Sequence, residues 1–150
     1  MSLTLLAPPP EPVVSACTSL TGEQKRLIRE SFTRIEPAAD LVARLFYLKS
    51  IDLDPSLRAM FKDPTRAQRR NFMAAMKIAV VSLDRLQALQ PILKLLGARQ
   101  RQEGVKPSHY GAFRRAWVWT LEQSLEARFS REAKEAWTSL LTQMTRATAS

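Results

Sequence analysis

The stretch LLGARQRQEGVKPSHY, from Leu95 to Tyr110, decides how the second half of this chain folds. Its first part has helical character, Gly104 is a typical helix stop, and Pro107 and Ser108 are residue types that open a new helix. We therefore predict two helices that meet at a corner around Gly104. The same stretch holds His109, the single histidine among 150 residues. One histidine excludes most metal-site and catalytic-triad chemistry, and we expect no Ser-His-Asp set.

Helical periodicity continues outward from this stretch in both directions. Thr21 and Gln24 form a capping box before a segment whose apolar residues recur at steps of three and four. The segment DPSLRAMF predicts a short helical turn that ends at Phe61. The expected helix starts are Thr21, Pro37, Thr65, Pro91, Ser108 and Ser130. No alternating strand pattern and no internal repeat occurs, so we predict an all-α fold of about seven helices in one domain, residues 20–150.

The composition suits a globular protein, with 45% hydrophobic and 25% charged residues. No run approaches the roughly 18 apolar residues that a membrane-spanning helix needs. The one cysteine, Cys17, excludes an intrachain disulfide and favours a reducing compartment, so we expect a cytoplasmic location. Residues 1–19 contain the proline run Pro8–Pro10 and lack a basic start, which predicts a disordered tail rather than a signal peptide.

The net charge is +9, from 23 lysines and arginines against 14 acidic residues. Such a surplus suits nucleic acid, an anionic membrane or an acidic protein partner. The arginines are spread along the chain, and neither an aromatic-rich RNA-binding motif nor a glycine-rich phosphate loop accompanies them. We therefore expect a solvated basic surface and no nucleic-acid binding, with an acidic protein partner as the open alternative.

Four motifs occur in a fixed order along the chain: LTGEQKRLIRESFTRIEP, LFY followed by DPSLRAMF, LQPILKLLGAR followed by GVKPSHY, and EAWTSLL. In this order they resemble the globin family, specifically the single-domain bacterial type related to flavohaemoglobins. The resemblance covers roughly residues 20 to 146. It implies a globin fold with a haem pocket between the helix that runs from Thr65 to about Leu83 and the helix that runs from Pro91 to about Gln102.

The resemblance implies that the gas-binding, or distal, side of this pocket is retained. Tyr47 falls where such globins place a tyrosine that hydrogen-bonds iron-bound oxygen. Gln68 falls at the distal glutamine or histidine position, and Phe61 falls where a phenylalanine lies against the haem ring.

The other, proximal side departs from the family. The family's spacing from Gln68 places the iron-binding histidine at the position of Gln100. An imidazole nitrogen is a good iron ligand, whereas the amide oxygen of glutamine donates weakly. His109 falls at the start of the next helix and faces the pocket's edge. The resemblance therefore implies a haem pocket without the usual iron ligand.

Three further positions differ from the family pattern. Phe72 and Phe113 stand where the family has leucine- or valine-sized residues, and Asn71 replaces a basic residue that often pairs with a haem propionate. Large side chains would fill a pocket that had lost its ligand, because an empty apolar cavity is costly. The other interpretation is that they tighten a gate above a haem that is held by contacts alone. The residues expected to line the pocket are Tyr47, Phe61, Gln68, Phe72, Leu96, Gln100, Val105, Tyr110 and Phe113.

Two functions follow as hypotheses. In the first, the protein is haem-free or binds haem weakly, and it acts as a binding or signalling module, with a small apolar molecule as a candidate ligand. In the second, it binds haem b and a diatomic gas or sulfide, with Tyr47 or Gln100 as an unusual iron ligand. We expect no enzymatic activity, because nitric oxide oxidation by flavohaemoglobins needs a reductase domain that these residues do not contain.

Overall fold

The computed structural model describes residues 20–61 and 64–149. Within these residues the chain forms seven α-helices, of which six have 13 residues or more, and no strand. In chain order they are α1 (Gly22–Ile35), α2 (Ala39–Leu53), α3 (Arg58–Phe61), α4 (Arg66–Val81), α5 (Gln90–Gln102), α6 (His109–Leu125) and α7 (Arg131–Ala149). The all-α prediction is confirmed. The expected tail lies outside the described residues.

Short 3-10 helices connect several of these elements. They span Glu36–Ala38, Pro55–Leu57, Leu83–Leu89 and Glu126–Arg128. The third of them begins where α4 was expected to end, so α4 stops two residues early, at Val81. Inside it, Arg85 has a non-helical backbone (φ −144°, ψ 48°), which turns the chain from α4 towards α5.

Local capping fixes most of the helix starts. Thr21 forms the expected capping box, and the Oγ of Ser130 accepts the N–H of Ala133 at 3.0 Å. Ser108 makes no side-chain capping bond, so the expectation that it caps α6 is wrong. The loop before α6 is held instead by His109, whose Nδ1 accepts the N–H of Lys106 at 3.0 Å.

The helices pack in two sets around a common core. Helix α2 lies against α6 and α4, while α7 lies against α1 and α5. Trp117 of α6 and Trp137 of α7 are fully buried where the two sets meet, with ring centroids 5.8 Å apart. No helix among the described residues is both long and apolar enough to cross a membrane.

Gly97 lets α5 approach α7 closely. A Cβ built on this glycine would overlap the backbone carbonyl of Thr148. Any larger residue would therefore force the two helices apart, and α5 carries several residues of the site described below.

Candidate functional site

A cavity of about 170 Å³, called the interior cavity below although it is partly open to solvent, lies between helices α2 to α7. Seven of the nine residues expected from the sequence line it: Tyr47, Phe61, Phe72, Leu96, Gln100, Tyr110 and Phe113. Two expected residues, Gln68 and Val105, are not part of the lining. The residues that line the cavity and were not expected are Phe46, Ala75, Met76, Leu93, Arg114, Trp117, Leu141, Met144, Thr145 and Thr148.

Aromatic rings fill much of the space around this cavity. Phe46 and Phe72 are stacked, with ring centroids 4.1 Å apart and planes inclined by 11°. Phe61 and Phe113 meet at 5.9 Å, and Phe72 meets Trp117 edge to face at 5.4 Å. The remaining volume is below the roughly 300–1,000 Å³ of typical ligand and cofactor pockets.

Tyr47 presents a protonated phenol to the cavity. The side chain is buried, and its hydroxyl lies 3.4 Å from the backbone carbonyl oxygen of Gln68. Burial raises the pKa of Tyr47 to about 12, because a phenolate would lose its solvation there. At neutral pH this group therefore acts as a hydrogen-bond donor.

The side chain of Gln68 serves the start of α4 instead of the cavity. Its Oε1 accepts the N–H of Thr65 at 2.8 Å, while its own N–H donates to the Thr65 hydroxyl at 3.1 Å. This capping box leaves Gln68 exposed. The sequence itself indicates this capping role of Gln68, because Thr65 and Gln68 have the same spacing as the capping box at Thr21 and Gln24.

Gln100 and Tyr110 form a polar pair at the α5–α6 side of the cavity. The Tyr110 hydroxyl donates to Oε1 of Gln100 at 2.7 Å. Val105 is buried nearby, and its N–H donates to the Gln100 backbone carbonyl at 2.9 Å, which closes the end of α5. The Gln100 amide oxygen, which the sequence offered as one of two unusual iron ligands, is therefore already hydrogen-bonded. Arg114 is held beside the cavity by the Thr145 hydroxyl at 3.0 Å.

His109 is buried at the first position of α6, outside the cavity lining, and is 4% exposed. Its Nδ1 accepts a backbone N–H from Lys106, which places the proton on Nε2 in the neutral ring. Nε2 then donates to the Ser56 hydroxyl at 3.0 Å, and that hydroxyl donates to Asp54 at 2.6 Å. The hydrogen bond from Ser56 is the main cause that lowers the pKa of Asp54.

Ser56, His109 and Asp54 lie together, but in the order imidazole, hydroxyl, carboxylate, which differs from the order of a catalytic triad. The three side chains meet because folding brings Ser56 to His109 across 53 positions. The imidazole nevertheless cannot take a proton from Ser56, since its only unprotonated nitrogen faces the Lys106 N–H. The set therefore fixes the corner and does not form a nucleophile and base.

The residues around the cavity do not fit an iron porphyrin in this arrangement. The one histidine of the chain lies elsewhere, and the Gln100 oxygen is engaged by Tyr110. Phe72 and Phe113 both line the space that remains. Among the described residues, no group of three or more histidine, cysteine or acidic side chains could hold a metal ion.

Comparisons with known proteins agree with this architecture. The chain is 26% identical over 132 residues to the anaerobic nitrite reductase HBII of Casuarina glauca, which covers 78% of this chain and 82% of that protein. Its backbone is similar to the crystal structure of a hexacoordinated heme protein from an anhydrobiotic tardigrade at pH 4, with a TM-score of 0.77 and 14% identity. That similarity covers 88% of this chain and 94% of the other, and it shows a shared fold.

The globin family model matches residues 45–148, which is well over half of the chain. The prediction of a globin fold is thereby confirmed, and the chain belongs to the globin family.

Proposed function

We propose that this globin is a binding module whose interior cavity takes a small apolar molecule, and that it binds haem weakly or not at all. The observation that supports this most is the aromatic cluster, which reduces the interior space to about 170 Å³. A dry engineered cavity of about 150 Å³ binds benzene or xenon, so a cavity of this size suits ligands of that class.

Iron ligation gives a second argument. The proposal places Gln100 at the position where single-domain bacterial globins have the iron-binding histidine. Its amide oxygen is a weak donor, and it would have to give up the 2.7 Å hydrogen bond from Tyr110 to reach an iron ion. Both effects oppose haem binding from the proximal side.

The alternative is a globin that binds haem b with unusual ligation and carries oxygen, nitric oxide or sulfide. The presence of Tyr47 and Phe61 in the cavity lining favours it. The Tyr47 phenol would have to lose its proton to bind ferric iron, and a pKa of about 12 opposes this at neutral pH. We therefore rank this alternative second.

We also propose that the protein is not an enzyme. Nitrite reductase is the name of the Casuarina glauca protein, and a redox reaction of that class needs a held redox centre. A cytoplasmic location, and an acidic protein partner for the basic surface, complete the proposal.

A haemin titration, followed by the Soret absorbance, tests this proposal. We expect no tight complex with the unmodified protein and weak binding at most with Gln100→His. Phe72 and Phe113 still occupy the space in that variant, and overpacking a core costs about 1–3 kcal/mol. The triple variant Gln100→His, Phe72→Leu, Phe113→Val should bind haemin tightly.

The double variant Phe72→Leu, Phe113→Val is the matched control, because it opens the cavity and supplies no imidazole. It should bind less tightly than the triple variant. Tight, stoichiometric haemin binding by the unmodified protein would overturn the proposal. Loss of that binding in Tyr47→Phe would then identify the phenol as the iron ligand.

A further inference from the structure

A larger cleft of about 530 Å³ lies on the surface beside the interior cavity. It is bounded by the start of α1, the 3-10 helix Leu83–Leu89, the start of α5 and the end of α7. Its volume falls within the roughly 300–1,000 Å³ of ligand pockets. Its larger apolar side chains are Leu20, Leu83, Leu86, Leu93 and Met144.

Two side chains line both the cleft and the interior cavity. They are Leu93 of α5 and Met144 of α7. Methionine has three rotatable bonds and adapts its shape easily. These two side chains therefore form part of the wall between the cleft and the cavity.

The polar groups of the cleft favour an anionic ligand. Lys25 and Arg146 line it, and its one acidic residue, Asp84, already accepts hydrogen bonds from Lys25 and Arg29 at 3.0 Å each. The amide Nε2 of Gln143 is buried in the same wall and has no hydrogen-bond partner among the described residues. Lys25 and Arg146 therefore give the cleft positive charge, which suits a carboxylate.

We propose that the cleft and the cavity form one binding site for an unbranched, fatty-acid-type monocarboxylate. The carboxylate lies in the cleft near Lys25 and Arg146, and the chain follows the leucine wall. Its end passes between Leu93 and Met144 into the aromatic cavity. This inference rests on the proposed function, since it requires an interior that is open to apolar molecules.

Bromine quenching of tryptophan fluorescence tests where the chain ends. Trp117 lines the interior cavity and does not line the cleft. We expect 12-bromododecanoate to quench the full-length protein strongly and 2-bromododecanoate to quench it weakly at equal occupancy. The difference should disappear in Trp117→Phe. Equal quenching by both acids in the unmodified protein would overturn the inference. This outcome does not depend on whether the Trp117→Phe variant folds.

Affinity measurements by calorimetry test the contributions of the ligand's carboxylate and of its hydrocarbon chain separately. Binding should strengthen by roughly fourfold for each added methylene between octanoate and dodecanoate, which is the effect of burying one CH₂ group. Arg146→Gln should weaken dodecanoate binding by about two- to fivefold and leave dodecanol binding unchanged. The matched control is Arg131→Gln, at the exposed start of the same helix, which should change neither. Equal effects of the two substitutions would sink the assignment of the carboxylate.

The two proposals fail in different ways. If benzene raises the melting temperature but dodecanoate does not bind, this inference is wrong and the proposed binding of small apolar molecules is retained. Tight haemin binding would overturn the proposed function by itself.

Discussion

Tyr47 and Tyr110, the two tyrosines of the chain, both lie against the interior cavity. Burial raises the pKa of Tyr47 to about 12 and also raises that of Tyr110, although the positive charge of Arg101 acts in the opposite direction on the second. The chain thus has no tyrosine with an ordinary environment among its described residues. Phenol ionisation therefore reports directly on the integrity of the site.

We expect both phenols of the native protein to ionise above the ordinary tyrosine pKa near 10. An unfolded chain loses the Tyr47 proton near pH 10, while the folded chain keeps it to about pH 12. The stability linked to the protonated phenol is therefore complete below pH 10 and is lost as the pH rises towards 12. A spectrophotometric titration, with melting temperatures across the same range, measures both effects.

Tyr47→Phe is the control for this titration, because it should remove the ionisation near pH 12 and leave that of Tyr110 in place. A native titration in which both tyrosines ionise near pH 10 would contradict the buried position of Tyr47.

Among the elements, the contact between α5 and α7 sets the geometry of the cavity. Helix α5 supplies Leu93, Leu96 and Gln100 to the lining, and it can do so because Gly97 faces the Thr148 carbonyl without a side chain. A second fixed point is the corner before α6, where Ser56 and His109 are hydrogen-bonded. Each of these two contacts depends on one residue: Gly97 where α5 crosses α7, and His109 at the corner.

Gly97→Ala should destabilise the protein by about 1–3 kcal/mol, because the new Cβ overlaps the Thr148 carbonyl and α5 has to shift. Gly22→Ala is the matched control, since nothing lies within 4 Å of a Cβ at that helical position. The control should be neutral or slightly stabilising, because alanine favours helix more than glycine by about 1 kcal/mol. Urea unfolding of the two variants measures the difference. A Gly97→Ala protein as stable as the control would refute the close approach of the helices.

Across the whole molecule, exposed aspartates connect elements that are distant in sequence. Asp40 of α2 accepts a hydrogen bond from Arg69 of α4 at 2.7 Å, and Asp84 joins the connector before α5 to Lys25 of α1. These hydrogen bonds are the main causes that lower the pKa of Asp40 and of Asp84. At neutral pH both carboxylates are ionised and paired.

Acidification should therefore weaken the fold. A carboxyl whose folded pKa is lowered contributes its full stability above the unfolded value of about 3.9 and loses it as the pH falls through the folded pKa. We expect a melting temperature that is nearly constant from pH 7 to pH 5 and declines below about pH 4. Asp84→Asn should lower the melting temperature at pH 7 and converge with the unmodified protein in acid.

Asp52→Asn is the matched control, because Asp52 pairs only with Lys49 of the same helix among the described residues, at 3.2 Å. It should shift the melting temperature less than Asp84→Asn at pH 7. A melting temperature that stays constant down to pH 2 would show that the cross-element pairs do not stabilise the protein.

Local signals in the sequence determined the helical elements. The Thr21 capping box and the Thr65 start of α4 both lie where the sequence predicts, because a cap joins side chain and backbone over three residues. The sequence also determined that the chain has a single histidine, and that bulky phenylalanines stand at positions 72 and 113. These properties need no knowledge of distant contacts.

Only the tertiary structure decided how those residues are used. It stacked Phe46 on Phe72, and it brought Ser56 to His109 across 53 positions. It also placed Leu93 and Met144 between two cavities, which no pattern in their separate helices indicates. The physical reason is that such contacts depend on how helices cross and pack, and the spacing of residues along one helix does not specify the face of the next.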